Sequence, residues 1–411
     1  MRQRYIFPFQ IGKRINNMGK LIRYIKYNTE AIVVLLSTFF VFYYIFIKSI
    51  LPETCIDYIS DIPLHSDEMI KKIEARDFFS GNFLVYLLTI MLSGFSLDLV
   101  TIGRSLCFLL ASAECATYLI LKRQFSNTGK SRLRSAALSL SILLVFTIPY
   151  LYYLNILSLV HGTFSANMYL THYVPTVWHN STIIFSMPFS LGIFLLSERV
   201  LKEFQRNDIL KICILVAIDV LIKPSFFFIF LVSFPIVAFV RYRFSKEFLS
   251  SLFPVAIGLV CLAYVYISIY TNTSDGSSVI IDFNRLLQLD TYGWYKVLSS
   301  IVFPVLFLAF NWNSIEKGES LLYIFLLLSS AIGISLVCAE LGPRAEHGNM
   351  CWQTIPAMQI TYFAILRHLV TQKPATNYDK ITKCTFSTIF AIHVVSGIWY
   401  LARYIITGTY Y

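Results

Sequence analysis

Long apolar stretches alternate with short polar stretches along most of the chain. Most of the apolar stretches contain roughly twenty residues, the length at which an α-helix crosses a bilayer with a hydrocarbon core of about 30 Å. The pattern predicts an all-α, polytopic helical membrane protein with about eleven transmembrane helices. They cover residues 31–51, 101–121, 135–158, 181–197, two short helices within 209–240, 248–270, 297–311, 320–339, 351–370 and 385–407.

The segments between the predicted helices differ in their content of basic residues. Residues 1–30 carry seven Lys and Arg and are predicted to form a cytoplasmic basic segment, followed by a single integral membrane domain over residues 31–411. Cytoplasmic loops are enriched in Lys and Arg, so the amino terminus is expected inside the cell. The predicted outer loops cover residues 52–100, 159–180, 271–296 and 340–350.

The first outer loop contains a short apolar stretch, Asn82–Phe95. Basic residues follow the next apolar stretch, Thr101–Leu121, and they predict a cytoplasmic loop there. An odd number of crossings must therefore separate the first outer loop from that loop. We interpret Asn82–Phe95 as a helix lying in the outer interface, with a re-entrant hairpin as the alternative.

Composition narrows the class of protein further. Hydrophobic residues make up 56% of the chain and charged residues 14%, whereas a soluble domain carries about 25% charged residues. A soluble enzyme, a disordered chain and a disulfide scaffold are excluded. The net charge of +11 is spread over short segments between apolar stretches, which predicts membrane lipids and no nucleic acid as partners. The eight cysteines include no CxxC pair and are interpreted as buried thiols.

Five of the seven histidines fall on the predicted outer side, together with many acidic residues, which indicates a site at the outer membrane face. The segment His65-Ser66-Asp67-Glu68 is the sharpest candidate. Asp67, with Glu68 as second choice, could act as the general base that a hydroxyl needs when it attacks a sugar, and His65 could bind substrate. The alternative is structural: these residues begin a short surface helix that Ser66 caps.

Two further outer segments are candidates for binding an anion. Lys223 lies in a tight turn between two short apolar helices, where a lipid-linked phosphate could pair with its ammonium; a salt bridge or snorkelling to the interface is the alternative. Arg344, Glu346 and His347 crowd a very short loop, in which the planar guanidinium matches phosphate oxygens. An ion pair between Arg344 and Glu346 that only orders the loop is the alternative.

The loop Met168–Thr182 interleaves aromatic and hydrogen-bonding residues. His172, Trp178 and His179 could contact a sugar or an isoprenoid chain, although interfacial Tyr and Trp are also ordinary membrane-belt residues. The histidines lack a compact ligand spacing, so we predict no zinc site. The residues specify no cofactor, and a requirement for a divalent cation stays open.

This layout resembles the GT-C superfamily of membrane glycosyltransferases, which use polyprenyl-phosphate sugars. The resemblance covers residues 1–250 and rests on short motifs. These are the basic amino terminus, one helix, the acidic outer loop with its interfacial helix, Thr101–Leu121 with the Lys122-Arg123 exit, a helix ending near Ile148-Pro149, and the turn Lys223-Pro224-Ser225. The chain departs from the superfamily's pattern in lacking a sharply defined Asp-Asp pair.

The resemblance implies transfer of a sugar from a polyprenyl-linked donor to a glycan or lipid acceptor at the outer face of the membrane. It implies that Asp67 or Glu68 is the base and that Lys223, Arg344 and His347 bind phosphate. The composition also resembles that of bacterial surface-polysaccharide proteins, which implies the inner (plasma) membrane and roles in O-antigen or lipopolysaccharide assembly.

Two other functions are compatible with the same features. An O-antigen-type polysaccharide polymerase would use arginines of outer loops, for which Arg285 and Arg344 are available. A transporter or flippase of lipid-linked substrates would instead need ionisable groups near the middle of the membrane, for which Asp219 and Glu114 are available.

Overall fold

The computed structural model describes residues 29–51, 60–147, 173–271, 278–283, 293–311, 319–342 and 349–408. The predicted basic segment 1–30 lies outside these residues apart from its last two positions. Four candidate site residues also lie outside them: His172, Arg344, Glu346 and His347.

The described residues form fourteen α-helices and one two-stranded ribbon. The helices are α1 Thr29–Ile50, α2 Asp61–Ala75, α3 Phe83–Leu92, α4 Leu99–Ser126, α5 Arg132–Leu144, α6 Ser181–Lys202, α7 Arg206–Ile222, α8 Ser225–Tyr242, α9 Lys246–Ser251, α10 Phe253–Tyr266, α11 Gly293–Phe310, α12 Glu319–Val337, α13 Thr354–Thr371 and α14 Asn377–Thr407. The strands are β1 Ser278–Ile281 and β2 Cys338–Leu341, which pair in antiparallel register.

Eight stretches of helix are long and apolar enough to cross a membrane, which supports an integral, multi-pass membrane protein. They are α1, α4, α6, α8, the stretch Lys246–Tyr270, α11, α12 and α14. In their described extent, α5 has 13 residues and α7 has 17. The total of about eleven crossings therefore stays a prediction.

Polar caps fix where several helices begin. The Asp98 carboxylate accepts from the Thr101 amide at 2.9 Å at the start of α4, and the Asn180 side chain accepts from the Ile183 amide at 3.0 Å at the start of α6. These caps satisfy backbone donors that the first turn leaves without a partner. In the first outer loop, α2 begins at Asp61 and is capped by Ser60, whereas the sequence suggested a start capped by Ser66. Ser66 instead lies inside α2 and donates to the Ile62 carbonyl.

Ion pairs join helices at one end of the bundle, which we call the ion-paired end. The Phe125 ring near the end of α4 lies 5.8 Å from the Phe363 ring of α13, which precedes Arg367 by one helical turn. The opposite end holds α2, the ribbon and the starts of α6, α8 and α13, and we call it the Lys223 end. The described pairs at the ion-paired end are Glu30 with Lys122 and Arg132, Glu198 with Arg367, and Asp208 with Arg199 and Lys211.

At two positions a glycine allows an aromatic ring to lie close to the backbone of a neighbouring helix. A Cβ added at Gly258 on α10 would overlap the Phe227 ring of α8, and one added at Gly103 on α4 would overlap the Phe46 ring of α1. The absence of a side chain therefore lets each aromatic ring lie directly against a neighbouring helix backbone. Beyond the end of α10, the chain continues as one π-helical turn, Ile267–Thr271, a distortion that is common at functional sites.

Candidate functional site

A cavity of about 620 Å³ lies between α8, α10, the π-helical turn and the ribbon. Its walls are mainly apolar and include Phe228, Leu231, Leu262, Tyr266, Ile269 and Ile334. Val232 and Leu259, which also line it, are 42% and 45% exposed. In a membrane-spanning bundle, exposed apolar side chains on helix faces contact lipid, so the cavity opens sideways towards hydrocarbon.

The Lys223 ammonium lies at the polar end of this cavity because of a helix break. The helix α7 ends at Ile222, the backbone N–H of Lys223 donates to the Asp219 carbonyl at 2.8 Å, and α8 follows Pro224. Proline cannot donate to a preceding turn, which favours the break at this position. The break that the sequence predicted at Lys223-Pro224-Ser225 is confirmed.

The Lys223 ammonium is held by neutral groups. Its Nζ donates to Thr182 Oγ1 at 3.1 Å and lies 3.5 Å from Asn180 Oδ1, and it lies 4.8 Å from the centre of the Trp352 ring. A cation above an indole face is attracted by the ring's quadrupole. Among the described residues, no carboxylate comes within 4.0 Å of this nitrogen. The ammonium therefore retains the capacity to bind an anion.

Two carboxylates act on Lys223 from a longer distance. Burial lowers the pKa of Lys223 to about 8, while the charges of Asp61 and Glu340 oppose that decrease. Burial raises the pKa of Asp61 to about 6, and the Lys223 charge opposes that increase. At neutral pH both groups are therefore predominantly charged, and each can take part in proton transfer at modest cost.

Two neutral histidines border this pair. Asp61 and His65 lie one turn apart on α2, and the Asp61 amide donates to the His179 carbonyl at 3.2 Å. Burial, with the nearby Lys223 charge, lowers the pKa of His65 to about 4 and that of His179 to about 3. Both rings are neutral at pH 7, so Lys223 supplies the positive charge of this described cluster. The His179 ring centre lies 6.1 Å from that of Trp352.

A hydrogen-bonded chain leads from His65 towards the surface. The Tyr86 hydroxyl of α3 donates to Glu68 Oε2 at 2.8 Å and lies 2.6 Å from His65 Nδ1. Burial and the Glu68 charge raise the pKa of Tyr86 well above its ordinary value. The Tyr86 side chain is buried, whereas that of Glu68 is 50% exposed.

The ribbon contributes a second polar cluster beside the cavity. Glu340 on β2 is buried and accepts from the Tyr270 hydroxyl and from Asn349 Nδ2, the latter at 2.7 Å. Tyr270 and Asn349 both line the cavity together with Lys223. These bonds fix the position of the Glu340 charge and orient the two cavity-lining side chains.

Other predicted site residues lie elsewhere. Asp67 is 53% exposed and its carboxylate lies 2.6 Å from Lys71 Nζ, on the surface of α2. Trp178 is buried and packs its ring 5.7 Å from that of Phe42, in the apolar core. Of the described candidates, His65, His179 and Lys223 come together, and Glu68 joins them through Tyr86.

The two intramembrane acids lie in restricted surroundings. Asp219 is fully buried and its Oδ1 accepts from Ser190 at 2.9 Å. Glu114 borders a cavity of about 10 Å³ with Thr176 and Gln359, which has room for about one water molecule. The cavity beside Glu114 is far smaller than a sugar or a lipid head group.

Several polar residues of the cluster were not singled out as site residues from the sequence: Asp61, Thr182, Asn180, Trp352 and Glu340. One local signal was present, because Asp61 and His65 are spaced i, i+4 and therefore share a helix face. Within the described residues, no three His, Cys, Asp or Glu side chains are grouped so that they could hold a metal ion.

The comparisons with known proteins add no relative: no family model, no curated protein and no solved structure matches the chain. The chemistry of the cluster is therefore argued from its geometry.

Proposed function

We propose that the protein transfers a sugar from a polyprenyl-linked donor to a glycan or lipid acceptor at the outer face of the membrane, in the assembly or modification of a surface polysaccharide. The observation that carries this proposal is the partly buried Lys223 ammonium at the polar end of an apolar cavity open to lipid. A ligand with an anionic head and a hydrocarbon tail complements both parts. A polyprenyl phosphate has this form.

In this proposal Lys223 binds the phosphate of the donor. The ammonium donates to an oxygen that gains charge as the bond to the sugar breaks, and in a site of low dielectric such a contact strengthens in the transition state. Asn180, Thr182 and Trp352 hold the amine without neutralising it. The candidates Arg344 and His347, which follow β2 in the sequence and lie outside the described residues, would add donors.

Asp61 is proposed as the general base, in place of the sequence-derived candidates Asp67 and Glu68. Its raised pKa of about 6 makes it a better proton acceptor than an ordinary surface carboxylate, yet leaves it charged at pH 7. It also lies in the field of Lys223, whereas Asp67 is paired with Lys71 at the surface. A base must reach the acceptor hydroxyl as it attacks the sugar carbon bonded to the donor phosphate, and a carboxylate in the field of Lys223 suits this position.

The membrane topology is part of the proposal. We propose about eleven crossings, a cytoplasmic amino terminus and location in a bacterial inner membrane. Under this topology, Asp61 and Lys223 face the outer side, because residues 1–30 carry the basic side chains expected in the cytoplasm. Membrane lipids surround the bundle and supply the donor from the plane of the bilayer.

The ligand-binding part is tested with two probes that differ only in the phosphate, farnesyl phosphate and farnesol, on protein in lipid nanodiscs. We expect tighter binding of the phosphate, and a loss of this preference by about tenfold or more in Lys223→Gln. Lys71→Gln removes the same charge from the exposed surface of α2 and serves as the matched control. Equal binding of both probes by the unaltered protein would contradict the proposal.

The reaction itself is tested by comparing the lipid-linked and surface glycans of cells that contain the protein, the protein with Asp61→Asn, or neither. We expect one glycan modification to disappear without the gene and with Asp61→Asn. The same comparison with Asp67→Asn decides between the two aspartates. A change of glycan chain length alone would indicate a polymerase, and movement of a lipid-linked glycan without a new glycosidic bond would indicate a transporter.

A further inference from the structure

The bonds around Tyr86 fix the direction of a hydrogen-bonded chain. A tyrosine hydroxyl has one proton, and that of Tyr86 is donated to Glu68 Oε2. The short contact of 2.6 Å between Tyr86 and His65 Nδ1 must then be donated by the imidazole. In a neutral ring this leaves the proton on Nδ1 and a lone pair on Nε2.

We propose that Glu68, Tyr86 and His65 form a proton relay that carries the proton released by sugar transfer from the buried cluster to water. This inference rests on the proposed function, because a transfer to a hydroxyl releases one proton per turnover. It assigns to Glu68 and Tyr86 a role that is distinct from that of the base.

The positions of the three groups suit such a relay. Asp61 and His65 lie one turn apart on the same face of α2, and both are close enough to Lys223 to interact with its charge. The side chains of His65 and Tyr86 are mostly covered, at 16% and 8% exposure, whereas that of Glu68 is 50% exposed. The relay therefore connects the interior of the cluster with solvent through two short hydrogen bonds.

The acceptor O–H bond breaks, its oxygen forms a bond to the sugar carbon, and the bond from that carbon to the phosphate oxygen breaks with its electron pair remaining on phosphate. Asp61 takes the proton, which passes to His65 Nε2 one turn along α2. His65 releases its Nδ1 proton to the Tyr86 oxygen, and Tyr86 passes its own proton to Glu68 and on to water. The starting state returns when the Tyr86 hydroxyl rotates back towards Glu68 and His65 exchanges its ring protons with water, losing the one on Nε2 and regaining one on Nδ1.

The charged groups around the relay favour outward movement of the proton. Lys223 repels positive charge on His65 and His179 from the inner side. The Lys72 ammonium lies on the outer side, 5.8 Å from the Tyr86 ring centre. It donates hydrogen bonds to the carbonyl and the hydroxyl of Ser80 and lies 3.9 Å from the Asp77 carboxylate. Glu68 is the acceptor at the solvent end.

The test removes single atoms or charges from the relay. Tyr86→Phe and Glu68→Gln are each expected to lower kcat for sugar transfer about tenfold, within the range usual for proton-transfer groups, while the KM for donor changes less than twofold. Because both break one relay, the double variant should be no slower than the slower single variant. Tyr264→Phe removes another outer hydroxyl, which donates to the Phe79 carbonyl, and is the matched control.

Several outcomes overturn the relay. They are an unchanged kcat in Tyr86→Phe, effects of the two substitutions that multiply, and a loss of folded protein that accounts for the slower rate. A second measurement needs no activity: nitrogen NMR of ¹⁵N-labelled histidine should show His65 as the Nδ1–H tautomer, assigned by its loss in His65→Gln. An Nε2–H tautomer overturns the relay even if the protein transfers sugar, whereas unaltered protein that transfers no sugar overturns only the proposed function.

Discussion

The two ends of the helix bundle differ in how closely their charged side chains are paired with opposite charges. At the ion-paired end, the Glu198 carboxylate is buried and binds the Arg367 guanidinium through two hydrogen bonds, one of them 2.7 Å long. At the Lys223 end, the ammonium meets neutral oxygens and an indole ring, with Asp61 and Glu340 farther away. In the first arrangement each charge has a direct counter-charge, whereas in the second no carboxylate of the described residues lies within 4.0 Å of the ammonium.

In such a bundle, the presence of a close counter-charge separates structural charges from functional ones. A buried ion pair offsets its own desolvation, and removal of one partner leaves the other uncompensated. A buried charge without a close counter-charge reduces stability and is retained where it serves binding or catalysis. Substitutions of Lys223, Arg367, His179 and Lys71 test that separation.

Lys223→Met should lower the rate of sugar transfer about 10²–10³-fold, the range for removal of one donor to a developing negative charge. It should leave thermal stability equal or slightly higher, because the desolvation of the ammonium is relieved. Initial rates with a polyprenyl-linked donor and a thermal unfolding scan on the same sample measure both. Loss of folded protein in this variant would place Lys223 among the structural charges.

Arg367→Met should show the opposite result. It leaves the Glu198 carboxylate buried without its partner, which costs about 3–5 kcal/mol in stability. Unfolding in detergent should move to lower temperature, while the activity per folded molecule stays close to that of the unaltered protein. An Arg367→Met protein as stable as the original would contradict the comparison.

Acidification should destabilise the Lys223 end through its histidines. The pKa of His179 is lowered to about 3 in the folded protein, so between that value and about 6.5 the unfolded chain binds more protons. Stability is therefore complete above about pH 6.5 and falls as the pH falls, by roughly 2 kcal/mol at pH 5 for this one group. His179→Gln should flatten the dependence of the unfolding temperature on pH; an unchanged slope would contradict the assignment.

Lys71→Gln should have the smallest effect. The Lys71 and Asp67 side chains are 71% and 53% exposed, so water and salt screen their pairing. We expect little change in stability and no loss of farnesyl phosphate binding. A large effect of this substitution would mean that surface charge as such, and not the Lys223 ammonium, governs binding.

The sequence predicted where many helices lie with good accuracy, because the hydrophobic period and length are set by the bilayer. The predicted helix 320–339 is Glu319–Val337 in the structure. The predicted 101–121 extends to Leu99–Ser126, since an Asp98 cap and polar residues after Leu121 continue the helix beyond its apolar part. Hydropathy shows which part is apolar, whereas capping and side-chain packing decide where a helix ends.

The candidate site was predictable only in part. The Lys223 turn carries a local signal, a basic residue followed by proline between apolar stretches. Asp61 carries little signal, because its importance comes from a neighbour 162 positions later in the sequence. A single sequence contains periodicity along the chain but no record of which distant residues meet in space.

The contact of the Phe227 ring with the backbone of Gly258 affects how a lipid would enter the cavity. The ring fixes the contact between α8 and α10, two helices that form much of the cavity wall. We expect loading of this cavity to require little separation of helices or reordering of side chains, which are usual costs of association. The rate of loading would then be governed by how often a lipid diffuses past that side of the bundle.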